Sequence, residues 1–457
     1  MRLRNAFLAI AVAAIALAAL PASALEFHGY LRTGIGGNFR GGGQACFALP
    51  GADYKWRLGN ECETYAELQF NETLYRDKSG ASFNYVGMLS YQTGQRQDYE
   101  SLNGDWPNAW ANRQNYVSAD NLPFLGGASL WIGKRYYMRE SLYSVDWFYF
   151  DPSGPGAGIE NVDVGGLFRG ALAVFTNKVG AETYYPVDGA HTNQVTSQQF
   201  WRVDLRGYNI PFFVGELTLA LQLGILSASG TYPTGQEVSP AVNFQWKWPV
   251  LGGRNLLTFQ WGQGPMASLN AYPSPSTSSS AWQWRILEDL LFEPIPQLSG
   301  QLVFIYQDQN RVYENPNPNA GNGSGVDWAG NSSTSWTLGV RPVWNVTNYF
   351  KLQADVAYQS VTPKVAYASG SPFTSTDTMG MFKTSIAPTF APLPGPGGSF
   401  WTRPELRLFV TWASWNKAAQ AQGAMAQGSC AATGTSGSVF GCSTNGFTFG
   451  AQVEAWW

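Results

Sequence analysis

Histidine is almost missing from this chain: 457 residues include only His28 and His191. Charge is scarce as well. Asp, Glu, Lys and Arg make up 13% of the sequence, about half the share of an ordinary soluble domain. No block of like charge and no polar linker divides the chain. The net charge is −3, which excludes the strongly basic surface of a nucleic-acid-binding protein. Beyond residue 24 no apolar run reaches eighteen residues, so a membrane-spanning helix is excluded. Only four cysteines occur, Cys46, Cys62, Cys430 and Cys442. With so few histidines and cysteines no metal-ligand cluster can be assembled by the usual spacings, and none is expected. No cofactor is implied either. Gly154-Pro155-Gly156-Ala157-Gly158 lacks the strand-to-helix context that a dinucleotide loop needs. Hydrolysis would require a base beside a nucleophile. His28 sits in a strand-like stretch, and His191 has only Asp188 and Ser197 near it.

What is plentiful is aromatic residues, at 15%, and glycine, with 51 residues. The start of the chain explains part of its apolar content. Arg2 and Arg4 precede an apolar run from Ala6 to Leu20, followed by Ala22-Ser23-Ala24. This reads as a secretory signal peptide cleaved after Ala24, leaving 25–457 as a single domain. Losing Arg2 and Arg4 moves the net charge from −3 to −5. In an exported chain, four cysteines in two close pairs suggest two local disulfides.

The rest alternates with period two. Leu217, Leu219, Leu221, Leu223 and Ile225 are apolar, and Thr218, Ala220, Gln222 and Gly224 between them are small or polar. The same holds for Trp336 to Val346 and for Phe350 to Tyr358. Such runs, separated by Gly, Pro, Asn and Ser, predict long antiparallel strands. Their apolar faces end in Trp, Tyr and Phe while the other faces keep Arg, Glu, Gln and Asp. That combination belongs to an outer-membrane barrel with a lipid-facing band, aromatic girdles and a polar lumen. Lipid cannot satisfy backbone groups, so the sheet must close on itself. At roughly 24 residues per strand and connection the fold is all-β, a transmembrane antiparallel β-barrel of about 18 strands. The stretches 308–334 and 416–446, rich in Gly, Ser and Asn, suit its extracellular loops.

Four aromatic residues fall on the polar face. Tyr30 alternates with His28 and Arg32, Tyr65 with Glu63 and Glu67, Trp401 with Arg403 and Glu405, and Trp456 with Glu454. Any one of them could pack beneath an inward-folded loop. Together, beside ionic groups, they suit a ligand with flat C–H faces and a hydroxyl rim, which is a sugar. Mixed carboxylates and guanidinium groups can accept from and donate to successive hydroxyls.

Longer stretches carry a family resemblance. Phe27-His28-Gly29-Tyr30, Cys46-Phe47, the run from Arg57 to Leu68, Gly133-Lys134-Arg135-Tyr136-Tyr137, Ser153 to Asn161 and Phe449 to Trp457 resemble the maltoporin family. The resemblance implies a trimeric 18-stranded outer-membrane barrel for maltose and maltodextrins, seated in lipid, with an inward-folded constriction loop at roughly 134–158. It implies that Tyr30, Tyr65, Trp401 and Trp456 form an aromatic slide, to which a neighbouring subunit adds Tyr99. The polar track would be Arg32, Arg57, Glu67, Arg113, Arg139 and Asp146, with Phe148 narrowing the channel. Cys46–Cys62 matches the family's disulfide, whereas Cys430–Cys442 lies where nothing aligns.

Three departures stand out. Ser141 replaces an acidic residue, Phe148 replaces a tyrosine, and Arg254 aligns with a slide phenylalanine. Transport would be passive facilitated diffusion, since no plug domain for energy coupling is visible. The rival readings are a general or anion-preferring porin, a barrel lipase or protease, and a surface receptor acting through its loops.

Overall fold

The computed structural model describes residues 25–94, 110–179, 198–226, 237–269, 281–310, 332–364, 375–392, 399–421, 440 and 443–457. Residues 1–24, read above as a signal peptide, and Tyr99, His191, Cys430 and Cys442 lie outside the described residues. Strands run in the order β1 (Glu26–Asn38), β2 (Thr64–Arg76), β3 (Ser82–Thr93), β4 (Trp110–Leu122) and β5 (Ala128–Arg135). A small hairpin follows, β6 (Glu140–Leu142) and β7 (Trp147–Phe150). Then come β8 (Gly154–Val164), β9 (Phe168–Val179), β10 (Gln198–Phe212), β11 (Gly215–Leu226), β12 (Glu237–Val250) and β13 (Gly253–Gln263). The chain continues through β14 (Trp282–Ile295), β15 (Leu298–Asn310), β16 (Ser333–Asn345), β17 (Phe350–Pro363), β18 (Met379–Phe390), β19 (Glu405–Trp415) and β20 (Asn445–Trp456).

Each large strand pairs antiparallel with the next, β5 pairs with β8 past the small hairpin, and β20 returns to β1. The described residues thus hold a closed barrel of 18 strands, as the alternation predicts. Side-chain direction follows the sequence pattern. Leu219, Leu221 and Leu223 are 42%, 44% and 38% exposed on the outer wall, while Ala220 and Gln222 are buried inside. Outer aromatic pairs stand at both ends, among them Trp284–Tyr306 and Trp336–Tyr358 at one and Phe350–Phe390 at the other. The latter end carries the short turns and both terminal strands' free ends. One of these turns places Leu251 at φ 51° and Gly252 at φ 74°, the positive values that a two-residue hairpin turn demands.

The interior is not an empty tube. Residues 44–63, between β1 and β2, fold inward and are closed by the Cys46–Cys62 disulfide. The Asn60 side chain braces this segment, accepting from the Phe47 amide at 2.5 Å and donating to the Phe47 and Trp56 carbonyls at 2.8 and 2.9 Å. The wall fastens it too. Asp355 accepts from the Leu58 amide, Lys383 and Ser385 donate to the Leu58 carbonyl, and Thr411 donates to the Gly59 carbonyl. Gly59 sits at φ 60°, and a Cβ there would come within 2.4 Å of the Thr411 hydroxyl. Only glycine suits that approach.

A second inlay, residues 136–153 carrying the β6–β7 hairpin, lies against the first. The Lys55 and Arg57 amides donate to the Val145 and Ser144 carbonyls at 3.2 and 3.0 Å. This is the expected constriction loop, slightly shorter than the span read from the sequence. Tyr54, Trp56, Leu142, Val145, Trp147 and Tyr149 of the two inlays pack on inward Ala220, Leu256, Leu287, Val303 and Ile305. A uniformly polar lumen is therefore replaced by a dry, apolar patch wherever an inlay covers the wall. The start of β19 also differs from the alternation. Pro404 has no N–H for the ladder, and the strand begins at Glu405, leaving Trp401 and Arg403 in the connection before it.

Candidate functional site

The candidate site borders the lumen beside the inlays, on β1, β2, β4, β20 and the connection before β19. Tyr30 and Tyr65 face it from adjacent strands, with ring centroids 6.1 Å apart. Tyr30 lies directly opposite Trp456 across the β1–β20 seam. Trp456 and Trp401 are each 36% exposed, and Tyr143 from the hairpin tip meets both edge-on, at 6.4 and 5.3 Å. The outermost Trp457 instead packs outside on Phe27.

Charge is packed densely around these rings. Arg32 bridges Glu61, Glu63 and Asp146 at 3.0, 2.6 and 2.9 Å, and its guanidinium lies 5.2 Å from the Tyr65 ring. Arg57 bridges Glu61 and Glu454 at 2.6 and 2.9 Å and donates to the Tyr30 hydroxyl at 2.7 Å. The Tyr30 hydroxyl in turn donates to Glu454 at 2.9 Å. Arg403 and Arg407 both pair with Glu405 and Glu454, and Lys351 reaches Glu405 at 2.5 Å. Removing so many charges from water costs about as much as their attraction returns. Their effect is to fix orientation. Asp146, in the hairpin, shows the balance: burial raises its carboxyl, but Arg57 and then Arg32 outweigh that and hold it below the usual carboxylate range.

A second cluster surrounds Glu67, which accepts from the Tyr65 and Tyr136 hydroxyls at 2.7 and 3.1 Å. Arg113 donates to the Tyr136 hydroxyl. Arg139 is clasped between the rings of Tyr136 and Phe148, 3.4 and 4.0 Å from their centroids. Phe148 is 39% exposed toward the opening. Every site residue named from the sequence except Tyr99 therefore joins one continuous constellation. Ser141 stands on β6 facing Phe148 in the hairpin register, and Arg254 lies across the barrel on β13, paired with Asp289 at 3.2 Å.

Sequence reasoning missed Tyr136, Tyr143, Glu61 and Glu454 as members of the site. Tyr143 precedes a tight turn and has no strand periodicity to mark its face. Glu454 was legible as inward-facing, but its partners come from distant segments. Among the described residues no group of three or more His, Cys, Asp and Glu side chains is placed to hold a metal ion.

A closed barrel of this strand number, narrowed by an inward hairpin, is a channel in outline. The model of the LamB porin family matches residues 25–457. The chain belongs to the LamB porin family. Similar solved structures include Pseudomonas aeruginosa OccK8 (OprE), 12% identical over 95% of this chain and 98% of that one, with a TM-score of 0.44. Pseudomonas putida OprB is 10% identical over 95% and 94%, with a TM-score of 0.43. The trimer form of Vibrio cholerae OmpT is 11% identical over 94% and 99%, with a TM-score of 0.36. As a LamB porin the chain is a bacterial outer-membrane channel, and the end with short turns and terminal strands is its periplasmic end.

Proposed function

We propose that this LamB porin is a sugar-selective channel that passes maltodextrins or related oligosaccharides by passive facilitated diffusion. The observation that carries the reading is the run of half-exposed rings, Tyr65, Tyr30, Trp456 and Trp401, bordered by paired arginines and carboxylates. Each ring offers a face to a pyranose C–H surface, worth about 1 kcal/mol. The flanking ions, Arg32, Arg57, Glu67, Arg113, Arg139 and Asp146, would exchange hydroxyl partners as the sugar advances. Because Asp146 is already paired with Arg32 and Glu67 already accepts from the Tyr65 and Tyr136 hydroxyls, each exchange is nearly balanced, which lets the sugar leave as readily as it enters. Phe148 and Arg139 would set the width. Phe148 contributes bulk and no hydroxyl, and Ser141 no charge, so the sugar preference would differ from that of a channel with a tyrosine and an acid there. A homotrimer, with Tyr99 lent by a neighbour, completes the proposal.

The test is single-channel current in planar bilayers with maltotriose, alongside liposome swelling across mono-, di- and trisaccharides. Stepwise block at millimolar sugar and faster swelling with maltose than with an equal-sized polyol are expected. Current indifferent to sugar would sink the reading. A general, anion-preferring channel is the second reading. Arg139 favours it, since among the described residues this guanidinium has ring faces but no carboxylate against it. That channel would show a chloride-selective reversal potential and no sugar block.

A further inference from the structure

A cavity of about 600 Å³ lies against the inner wall of β10–β13 near the short-turn end, away from the rings of the proposed slide. Its size is in the range of pockets that enclose a small ligand. Its lining interleaves apolar and charged residues, Pro211 opposite Glu216, Leu256 opposite Lys247 and Pro249 opposite Arg254 in the strand register, with Thr218 beside them. Glu140, from the edge of the constriction hairpin, closes it. A surface half apolar and half hydroxyl- and charge-bearing again matches a saccharide, but its electrostatics differ from those of the slide.

The charges here are paired with one exception. Lys247 pairs with Glu216, Arg254 with Asp289 at 3.2 Å, and the nearby Arg206 with Asp204 at 2.7 Å. Glu140 is exposed at the cavity, and its side chain makes no hydrogen bond or ion pair among the described residues. Of the four charged lining residues, Glu140 alone has no ion pair among the described residues, and Arg206, Arg254 and Lys247 are the cations that act on it. A carboxylate whose side chain has no hydrogen-bonding partner gains a charge-assisted hydrogen bond when an ammonium group reaches it.

We propose that this cavity is a second binding site, specific for saccharides that carry a protonated amine, with Glu140 accepting from the ammonium group. Pro211, Pro249 and Leu256 cover the sugar's C–H face, and Thr218 meets ring hydroxyls. Acidic sugars are disfavoured by the same carboxylate. The site goes beyond the slide: it requires only that the lumen admit a disaccharide, and it does not depend on which neutral sugar the rings prefer.

The full-length channel in planar bilayers tests this at about pH 6, where the amine is protonated. The probes are the glucosamine disaccharide and its N-acetylated form, identical in ring structure but different in charge. The native channel is expected to be blocked about tenfold more strongly by the charged form. In Glu140→Gln the two forms should block alike, and Glu140→Asp should keep part of the difference. Equal block by both forms in the native channel overturns the proposal. A difference that persists in Glu140→Gln also overturns it, by assigning the preference to general cation selectivity. If Glu140→Gln does not insert, Glu216→Gln replaces it; that change leaves Lys247 unpaired beside the cavity and should weaken block by the charged form several-fold, and unchanged block refutes the site. Maltotriose block recorded on the same native channels reads the slide separately, so failure of one site is distinguishable from failure of the other.

Discussion

Tyr143 concentrates more of the site's geometry than any residue named from the sequence. Its ring lies under the guanidinium groups of Arg57, Arg403 and Arg341, at 4.6, 5.1 and 5.4 Å. Its hydroxyl bonds Glu454 and accepts from Arg403 and Arg407. The ring anchors the constriction hairpin and the hydroxyl fixes its angle. Tyr143→Phe should therefore keep the hairpin in the lumen but weaken its docking by about 1–2 kcal/mol, because charged partners lose a hydrogen bond. The expected readout is noisier open-channel current with an unchanged folded fraction on gels. Tyr65 acts differently, offering a face to the opening. Tyr65→Ala should reduce maltotriose block about three- to tenfold with little loss of stability. Tyr30, Tyr65 and Trp456 were legible in the sequence because alternation marks inward positions. Tyr143 was not, since a turn residue has no face until the loop that carries it has found its place.

Strands and inlays divide by how locally they are determined. The alternation in β11 and β20 translates directly into outer and inner walls, because a one-residue slip would turn every leucine into the lumen. Leu221 is at the middle of β11, facing outward. Leu221→Lys should lower barrel stability by about 2–4 kcal/mol in lipid, as read from urea unfolding in vesicles, and conductance should be unaffected. The inlays were less legible. The Gly- and Cys-containing stretch 44–63 gives no sign that Leu58 is held by Asp355, Lys383 and Ser385 from strands 297 to 327 residues later. Nor do Leu287 and Val303 declare that their inward faces are covered; they read as exceptions to a polar lumen until Trp147 and Tyr149 are seen against them.

At the scale of the molecule, a rigid barrel holds two internal segments that can respond to conditions separately from it. Asp146 contributes to hairpin docking as a carboxylate whose affinity for protons is lowered in the folded state. That contribution is complete above the unfolded carboxyl's pKa, about 3.9, and is lost as pH falls through the lower folded value. Channel noise should be flat from neutral pH to about pH 4 and increase below it. Asp146→Asn should remove the pH dependence and be noisier throughout. Opening the Cys46–Cys62 bridge frees a 16-residue separation, worth about 3 kcal/mol in loop closure. Reduction should loosen the first inlay and raise conductance without unfolding the barrel. The seam between β1 and β20 has a further consequence. Tyr30 and Trp456 become neighbours only when the first and last strands meet, so two rungs of the proposed sugar path are created by the same event that seals the wall. A chain without its final dozen residues leaves the edges of β1 and β19 unpaired and Tyr30 without its cross-seam partner. Closing the ring and completing the aromatic row are thus one and the same step.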